Sequence, residues 1–313
     1  MKPDILLVDP MMPAIEERLD GTYTVHRLFA APDRGGLVTS VAPKVRAVVA
    51  GGVSGAGRAL IDALPALEII AINGIGTDAV DLERARERGI RVTTTPDVLT
   101  DDVADLAIGL LIAAARRLCV GDRYVREGRW TGRAPFALAQ RVSGKRLGIV
   151  GMGRIGRAVA KRAEGFGLEI AYTDLRPFPD LSYAYQADLV KLARETDFLV
   201  VAAAGGPQSR GIVNAAVLDA LGPRGILVNV ARGSVVEEPA LVAALQEGRL
   251  GGAGIDVFVD EPKVPEALWA MEQVVLQPHR ASATVETRVA MGELVLANLA
   301  AHFAGQPPVT PVV

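Results

Sequence analysis

The chain has 313 residues, more than one hydrophobic core ordinarily holds, so two domains of about 100–200 residues each are expected. Half of the residues are hydrophobic and 22% are charged, which excludes a disordered chain. Thirty-four basic residues stand against 36 acidic ones, and a net charge of −2 gives no electrostatic case for nucleic acid or an anionic membrane surface.

In chain order, the start "MKPDILLVDP" reads as a first strand, because its apolar run is too short for a secretory signal and an aspartate follows it. His26, after "TYTV", falls in an edge strand. Further strands are expected at "RAVVAG" and "LEIIAIN". Later ones follow at "RLGIVG", "LEIAYTD", "FLVVAAA", "GILVNVA", "GAGIDVF" and "QVVLQPH", with helical segments such as "IGRAVAKRAEGFG" and "PALVAALQEG" between them. The runs are continuously apolar rather than alternating, which marks parallel strands covered on both faces and an α/β fold.

The stretch "TTTPDVLTDDVADLAIGLLIAAARR" predicts an extended segment, a turn near Pro96 and a long buried helix. Thr100 is placed to cap it, Asp101 and Asp102 suit the positive end of its dipole, and Arg116 and Arg117 suit the negative end. Its apolar part is about half a bilayer crossing, so a buried helix is expected and no membrane span. This helix is read as the passage between domains. The amphipathic segment from Val285, "VETRVAMGELVLANLAAHFAG", is read as returning to the first domain. The expected division is 1–97 plus 285–313 against 98–284. Cys119 is the only cysteine, which excludes a disulfide within one chain and a cysteine-based zinc site, and it is expected as a packed thiol at a helix end. A cytoplasmic protein is expected.

The sharpest local pattern is "KRLGIVGMGRIGRAVAKRA", in which a strand runs into Gly151, Gly153 and Gly156 and a helix follows directly. The first glycine permits the tight turn, the second lets backbone approach a pyrophosphate, and the third lets helix pack on strand. The helix N-terminus then faces the phosphates. Asp174 ends the next strand, where a carboxylate accepts hydrogen bonds from the adenosine ribose and repels a 2′-phosphate, which leans toward NAD. Arg176, two residues on, is able to hold that phosphate, so NADP stays open.

Three later strands end in chemical groups. Arg232 follows "GILVNVA", Asp256 and Glu261 lie in "GAGIDVFVDEP", and His279 lies in "VVLQPHRASAT". Ligands of open α/β sheets bind beyond the carboxyl ends of strands. A ketone reduced by hydride needs a proton donor, which a histidinium supplies, and a neighbouring carboxylate favours the charged ring. An arginine polarises the carbonyl and pairs with a carboxylate.

The chain resembles the D-isomer-specific 2-hydroxyacid dehydrogenases along essentially its whole length. The stretches that carry the likeness are "NGIGTDAVDLERARERGIRVTTTPDVLTDDVADLAIGLL", "GIVGMGRIGRAVAKRAEGFG", "LVNVARGSVVEEPALVAALQEGRLGGAGIDVFVDEP" and "QPHRASAT". It looks most like the branch that reduces hydroxypyruvate, glyoxylate and hydroxyphenylpyruvate. The resemblance implies two Rossmann-like domains with parallel sheets and a cleft between them, usually as a homodimer. It implies that Arg232 binds and polarises a 2-oxo acid, that His279 passes the proton, and that Glu261 supports His279. It implies that the amides of Ile75 and Gly76 hold the substrate carboxylate, with Ser282 in reach. It adds Arg154, Ile155 and Ala231 to the NAD(H) or NADP(H) contacts, with Asp256 on the nicotinamide amide. No metal is implied.

Some positions depart from the pattern. "VAAAGGPQSRG" replaces a leucine-threonine-proline run, Asp174-Leu175 stands where an NADP-marking pair is common, and Arg280 beside His279 is read as a surface charge. His26 and His302 are read as surface or packing residues. Trp130 and Phe136, in "GRWTGRAPFALA", are read as packing residues or as reaching a partner subunit. A different class, an NAD-sensing co-repressor acting through partner binding, keeps the same three residues. Formate oxidation is disfavoured by Glu261, and nothing in the substrate loop marks a phosphate site.

Overall fold

A computed structural model describes residues 2–132 and 136–313. The chain divides into two compact units, Met1–Leu99 with Ser282–Val313, and Thr100–Ala281.

The first unit contains β1 (Asp4–Leu7), α1 (Pro13–Thr22), β2 (Thr24–Arg27), α2 (Arg34–Val41), β3 (Val45–Gly51), α3 (Arg58–Ala63), β4 (Ile69–Asn73), α4 (Leu82–Glu87) and β5 (Arg91–Thr93). The second contains α5 (Thr100–Arg116), α6 (Leu118–Arg126), β6 (Arg146–Val150), α7 (Arg154–Glu164), β7 (Glu169–Thr173), β8 (Ala184–Tyr185), α8 (Leu189–Glu195), β9 (Phe198–Val201), α9 (Ala215–Leu221), β10 (Ile226–Asn229), α10 (Glu238–Gln246), β11 (Gly252–Ile255) and β12 (Val274–Leu276). Helix α11 (Val285–Phe303) returns to the first unit.

Both sheets are parallel throughout, as the continuously apolar strands predict. The first runs β2-β1-β3-β4-β5, and β2, with His26 paired to Asp4 at 2.8 Å, is the expected edge strand. The second runs β12-β11-β10-β9-β6-β7-β8. Chain order reverses between β1 and β3 in the first sheet and between β6 and β9 in the second, and such switch points are where open sheets leave a crevice.

Small residues mark where helices sit closest. A Cβ at Gly254 of β11 would lie 2.8 Å from the Leu110 Cβ of α5, so "GAGI" is the strand over which the long apolar helix passes. A Cβ at Gly292 of α11 would meet Ile15 of α1 at 2.5 Å, and Val295, Leu296 and Leu299 complete the core beneath β1 and β3. The chain end adds an antiparallel strip to β5, with Val312 N–H donating to Val92 O at 2.7 Å.

Two local expectations are corrected. Thr100 is the first residue of α5 rather than its cap, and its buried hydroxyl has no hydrogen-bond partner among the described residues. Cys119 is exposed, not packed. Arg117 takes a left-handed φ of 53°, which ends α5 and starts α6 in a new direction. His302 is half-buried against Glu68 at 3.0 Å, Trp130 is exposed, and the Phe136 ring packs tilted against Tyr124 with centroids 5.2 Å apart. Among the described residues no helix is long and apolar enough to cross a membrane.

Candidate active site

Apart from Ser282, every chemical group expected from the second half of the chain follows the carboxyl end of a strand in the second sheet. The glycine turn follows β6 and sits at the switch point. Its three glycines meet three different constraints. Gly151 has φ +92°, and a Cβ there would lie 2.5 Å from the Ala203 backbone after β9. Gly156 presses on the same turn, with a Cβ position 2.0 Å from Gly151 O. Around Gly153, the residue before α7, a Cβ would meet nothing within 4 Å. Packing therefore accounts for Gly151 and Gly156, whereas Gly153 leaves open space before a helix whose first amides have no intrahelical partner. A dinucleotide's pyrophosphate fits that space, with Arg154 and Ile155 opening the helix beside it.

Asp174 follows β7. Its carboxylate accepts from Met152 N–H in the glycine turn and from Leu175 N–H, each at 2.7 Å. Tyr185 donates to its carbonyl at 3.1 Å. The anionic group is thus fixed at the turn, while Arg176 is exposed.

Arg232 follows β10, half-buried. Asn229, almost fully buried at the strand's end, accepts from Ala231 N–H at 3.1 Å and donates to Arg232 O at 3.0 Å, which fixes the loop on both sides of Ala231. A Cβ at Gly233 would overlap the Phe258 backbone, so this loop lies directly on the one after β11.

That second loop delivers Glu261. Its carboxylate accepts from Phe258 N–H at 3.0 Å and meets His279 Nδ1 at 2.7 Å. Burial pushes the Glu261 carboxyl up, but the bonds from His279 and Phe258 and the nearby Arg232 charge outweigh it and hold it below its ordinary value. An ionised Glu261 accepts the Nδ1 proton and leaves Nε2 of the ring for other chemistry. Among the described residues no hydrogen-bond partner is seen for Nε2.

His279 itself follows β12 with a φ of +51°, uncommon for a residue other than glycine. Asp256 supplies the reason. It is fully buried, and its oxygens accept from Arg280 N–H at 2.7 Å and Ala281 N–H at 2.9 Å, while its carbonyl accepts from His279 N–H at 2.8 Å. Burial raises the Asp256 carboxyl pKa, and the Arg280 and Ala281 amides oppose the rise. The visible task of Asp256 is to hold the turn that aims His279.

The remaining expected residues lie in the first unit. Ile75 and Gly76 are in the loop after β4, with Ile75 exposed, and Ser282 belongs to the same unit although it follows His279 by only three residues. Sequence reasoning missed Asn229 and the Phe258 amide. A lone asparagine closing an apolar strand in "GILVN" was the available signal for the first. A backbone amide has none. Among the described residues no group of three or more His, Cys, Asp or Glu side chains is placed to hold a metal ion.

Known proteins resemble the chain along nearly its whole length. The family model for the NAD binding domain of D-isomer specific 2-hydroxyacid dehydrogenases matches residues 108–281. The chain is 51% identical over 309 residues to hydroxyphenylpyruvate reductase of Plectranthus scutellarioides, covering 99% of this chain and 98% of that one. It is 49% identical over 309 residues to a glyoxylate/hydroxypyruvate reductase of Arabidopsis thaliana, with the same coverage. The crystal structure of an NADPH-dependent glyoxylate/hydroxypyruvate reductase from Sinorhizobium meliloti, with NADP and malonate, superposes with a TM-score of 0.92 at 43% identity, covering 100% of this chain and 97% of that one.

Proposed function

The chain belongs to the D-isomer-specific 2-hydroxyacid dehydrogenase family, as an NAD(P)-dependent oxidoreductase of its reductase branch, and from that premise we propose that it reduces small 2-oxo acids to D-2-hydroxy acids with His279 as proton donor. The observation that carries the assignment is the His279–Glu261 contact of 2.7 Å at the end of β12. When bound, NAD(P)H supplies the hydride that reaches C2 of the substrate.

The chain's own residues do the rest. Arg232 offers a guanidinium to the substrate's carbonyl oxygen and carboxylate, drawing electron density toward the oxygen. The oxygen then takes the proton from His279 Nε2, and Glu261, still ionised, stabilises the ring while it is charged. Asp256 and Asn229 keep the two loops in place. Ile75 and Gly76 present amides to the substrate carboxylate, and Ser282 stands as a further substrate contact. Substrates of the size of glyoxylate, hydroxypyruvate and aryl-pyruvates are the class, by likeness to the named relatives.

Gly151, Gly153, Arg154, Ile155, Gly156 and Ala231 line the coenzyme. The fixed Asp174 carboxylate supports NADH as the preferred one, because a 2′-phosphate would meet a charge of its own sign that is bonded to the turn. The exposed apolar side chains Leu118, Val125, Trp130 and Leu138 support a homodimer formed around α6. The test is coenzyme oxidation with NADH and NADPH, each with glyoxylate, hydroxypyruvate and phenylpyruvate. Turnover that is lost in His279→Ala bears the proposal out. No turnover with any of the six pairs contradicts it and favours a protein that senses the coenzyme without consuming it.

A further inference from the structure

We propose that Asp9, outside every group named so far, is a positioning residue for the substrate loop of the first unit, an inference that rests on the reading of Ile75 and Gly76 above. Asp9 stands just past the end of β1, beside β3, at the switch point of the first sheet. One of its carboxylate oxygens accepts from Gly51 N–H at 2.7 Å and the other from the Ser54 hydroxyl at 2.7 Å. Both partners belong to the stretch Gly51–Gly57, which starts at the last residue of β3 and is a run of mostly small residues with little side chain of its own to hold it. Gly55 N–H closes the turn on Gly51 O at 2.9 Å.

The loop so fixed is a support for the one that follows β4. Gly55 has φ +55°, and a Cβ there would lie 2.3 Å from Ala79 O, so the two loops meet backbone to backbone. Ala56 bridges Val80, and Asp81 N–H donates to Ala56 O at 3.1 Å. A Cβ at Gly74 would reach Gly52 N at 3.4 Å. On the far side, Thr95 N–H donates to Gly74 O at 2.8 Å. Ile75 and Gly76 therefore sit in a loop gripped from two directions, and one grip traces back to a single carboxylate. Amides that bind an anion do so only in the right orientation, and errors of an ångström are costly. Asp9 acts on the substrate through this loop and touches neither substrate nor coenzyme.

Steady-state kinetics of the full chain test this, with glyoxylate varied at saturating NADH and then NADH varied at saturating glyoxylate. Asp9→Ala is expected to raise the KM for glyoxylate roughly tenfold or more, with kcat and the KM for NADH little changed. Ser54→Ala, the milder variant, is expected to raise the same constant by a smaller factor. Asp9→Asn keeps an oxygen for Gly51 N–H and an amide for the Ser54 oxygen, and is expected to recover most of the lost KM. An unchanged glyoxylate KM in Asp9→Ala overturns the proposal. So does a fall in kcat together with a rise in both KM values, which a general loss of folding would give, and so does a failure of Asn to rescue. Gly76→Pro separates this idea from the one beneath it, since it deletes the loop amide itself. If Gly76→Pro leaves the glyoxylate KM unchanged, the loop does not bind the carboxylate at all. If it raises that KM while Asp9→Ala does not, Asp9 alone is misassigned.

Discussion

The ends of the two parallel sheets solve the placing of functional groups in opposite ways. Past β10, β11 and β12, charged side chains are wired to one another and to buried polar anchors: Glu261 to His279, Asp256 to the turn around His279, Asn229 to the loop of Arg232. Past β3 and β4, the loops present backbone, and glycine is what allows them to meet. The comparison teaches that side-chain chemistry needs buried partners to aim it, whereas backbone binding needs only a fixed loop. A proton donor must sit at one atom's reach. An anion can be held by whichever amides the turn exposes.

The first way to break this contrast is His279→Ala. It removes the group that the wiring exists to aim, and kcat for 2-oxo acid reduction is expected to fall about 10²–10⁴-fold. Coenzyme binding, followed by NADH fluorescence, is expected to survive. A kcat within tenfold of the parent would dissolve the distinction between the two regions. Next comes Asp256→Ala, which strips the partner from the part-buried Arg280 amide and from the buried Ala281 amide, the latter at about 1–3 kcal/mol. The melting temperature and kcat should drop together, because the anchor serves both fold and aim. A stable variant with full activity would mean that the turn holds itself. The smallest expected effect sharpens the picture at the coenzyme end. Asp174→Ser removes the fixed charge after β7, and the ratio of NADPH to NADH efficiency is expected to rise roughly tenfold. An unmoved ratio would assign coenzyme choice elsewhere.

Much of this was legible in the sequence because it rests on local pattern. Continuous apolar runs gave parallel strands, and the glycine spacing between a strand and a helix gave the turn after β6. Arg232, Glu261 and His279 were visible as polar groups just past apolar strands, and the sheet brings their elements side by side. What escaped was set by tertiary contact. Thr100 looked like a cap, but the helix starts one residue earlier than that role requires. Cys119 looked packed until the left-handed Arg117 turned α6 outward. The positive φ of His279 and the burial of Asp256 follow from hydrogen bonds across 24 and 25 residues, which no local pattern encodes. The Ser54–Asp9 bond, across 45 residues, is of the same kind.

Linkage gives Glu261 a definite sign. Its carboxyl is held below its ordinary value, so its contribution to stability is complete above the usual carboxylate range and is lost as pH falls through the lowered value. At working pH it is ionised, and that charge is the one the account makes essential. The most direct measurement is therefore the pH dependence of kcat/KM for 2-oxo acid reduction by the parent and by Glu261→Gln. Removing an adjacent carboxylate disfavours the charged imidazole. The alkaline limb, where the proton donor is lost, should then move to lower pH. A limb that stays in place would contradict the assignment of His279 and Glu261 as the proton-donating pair.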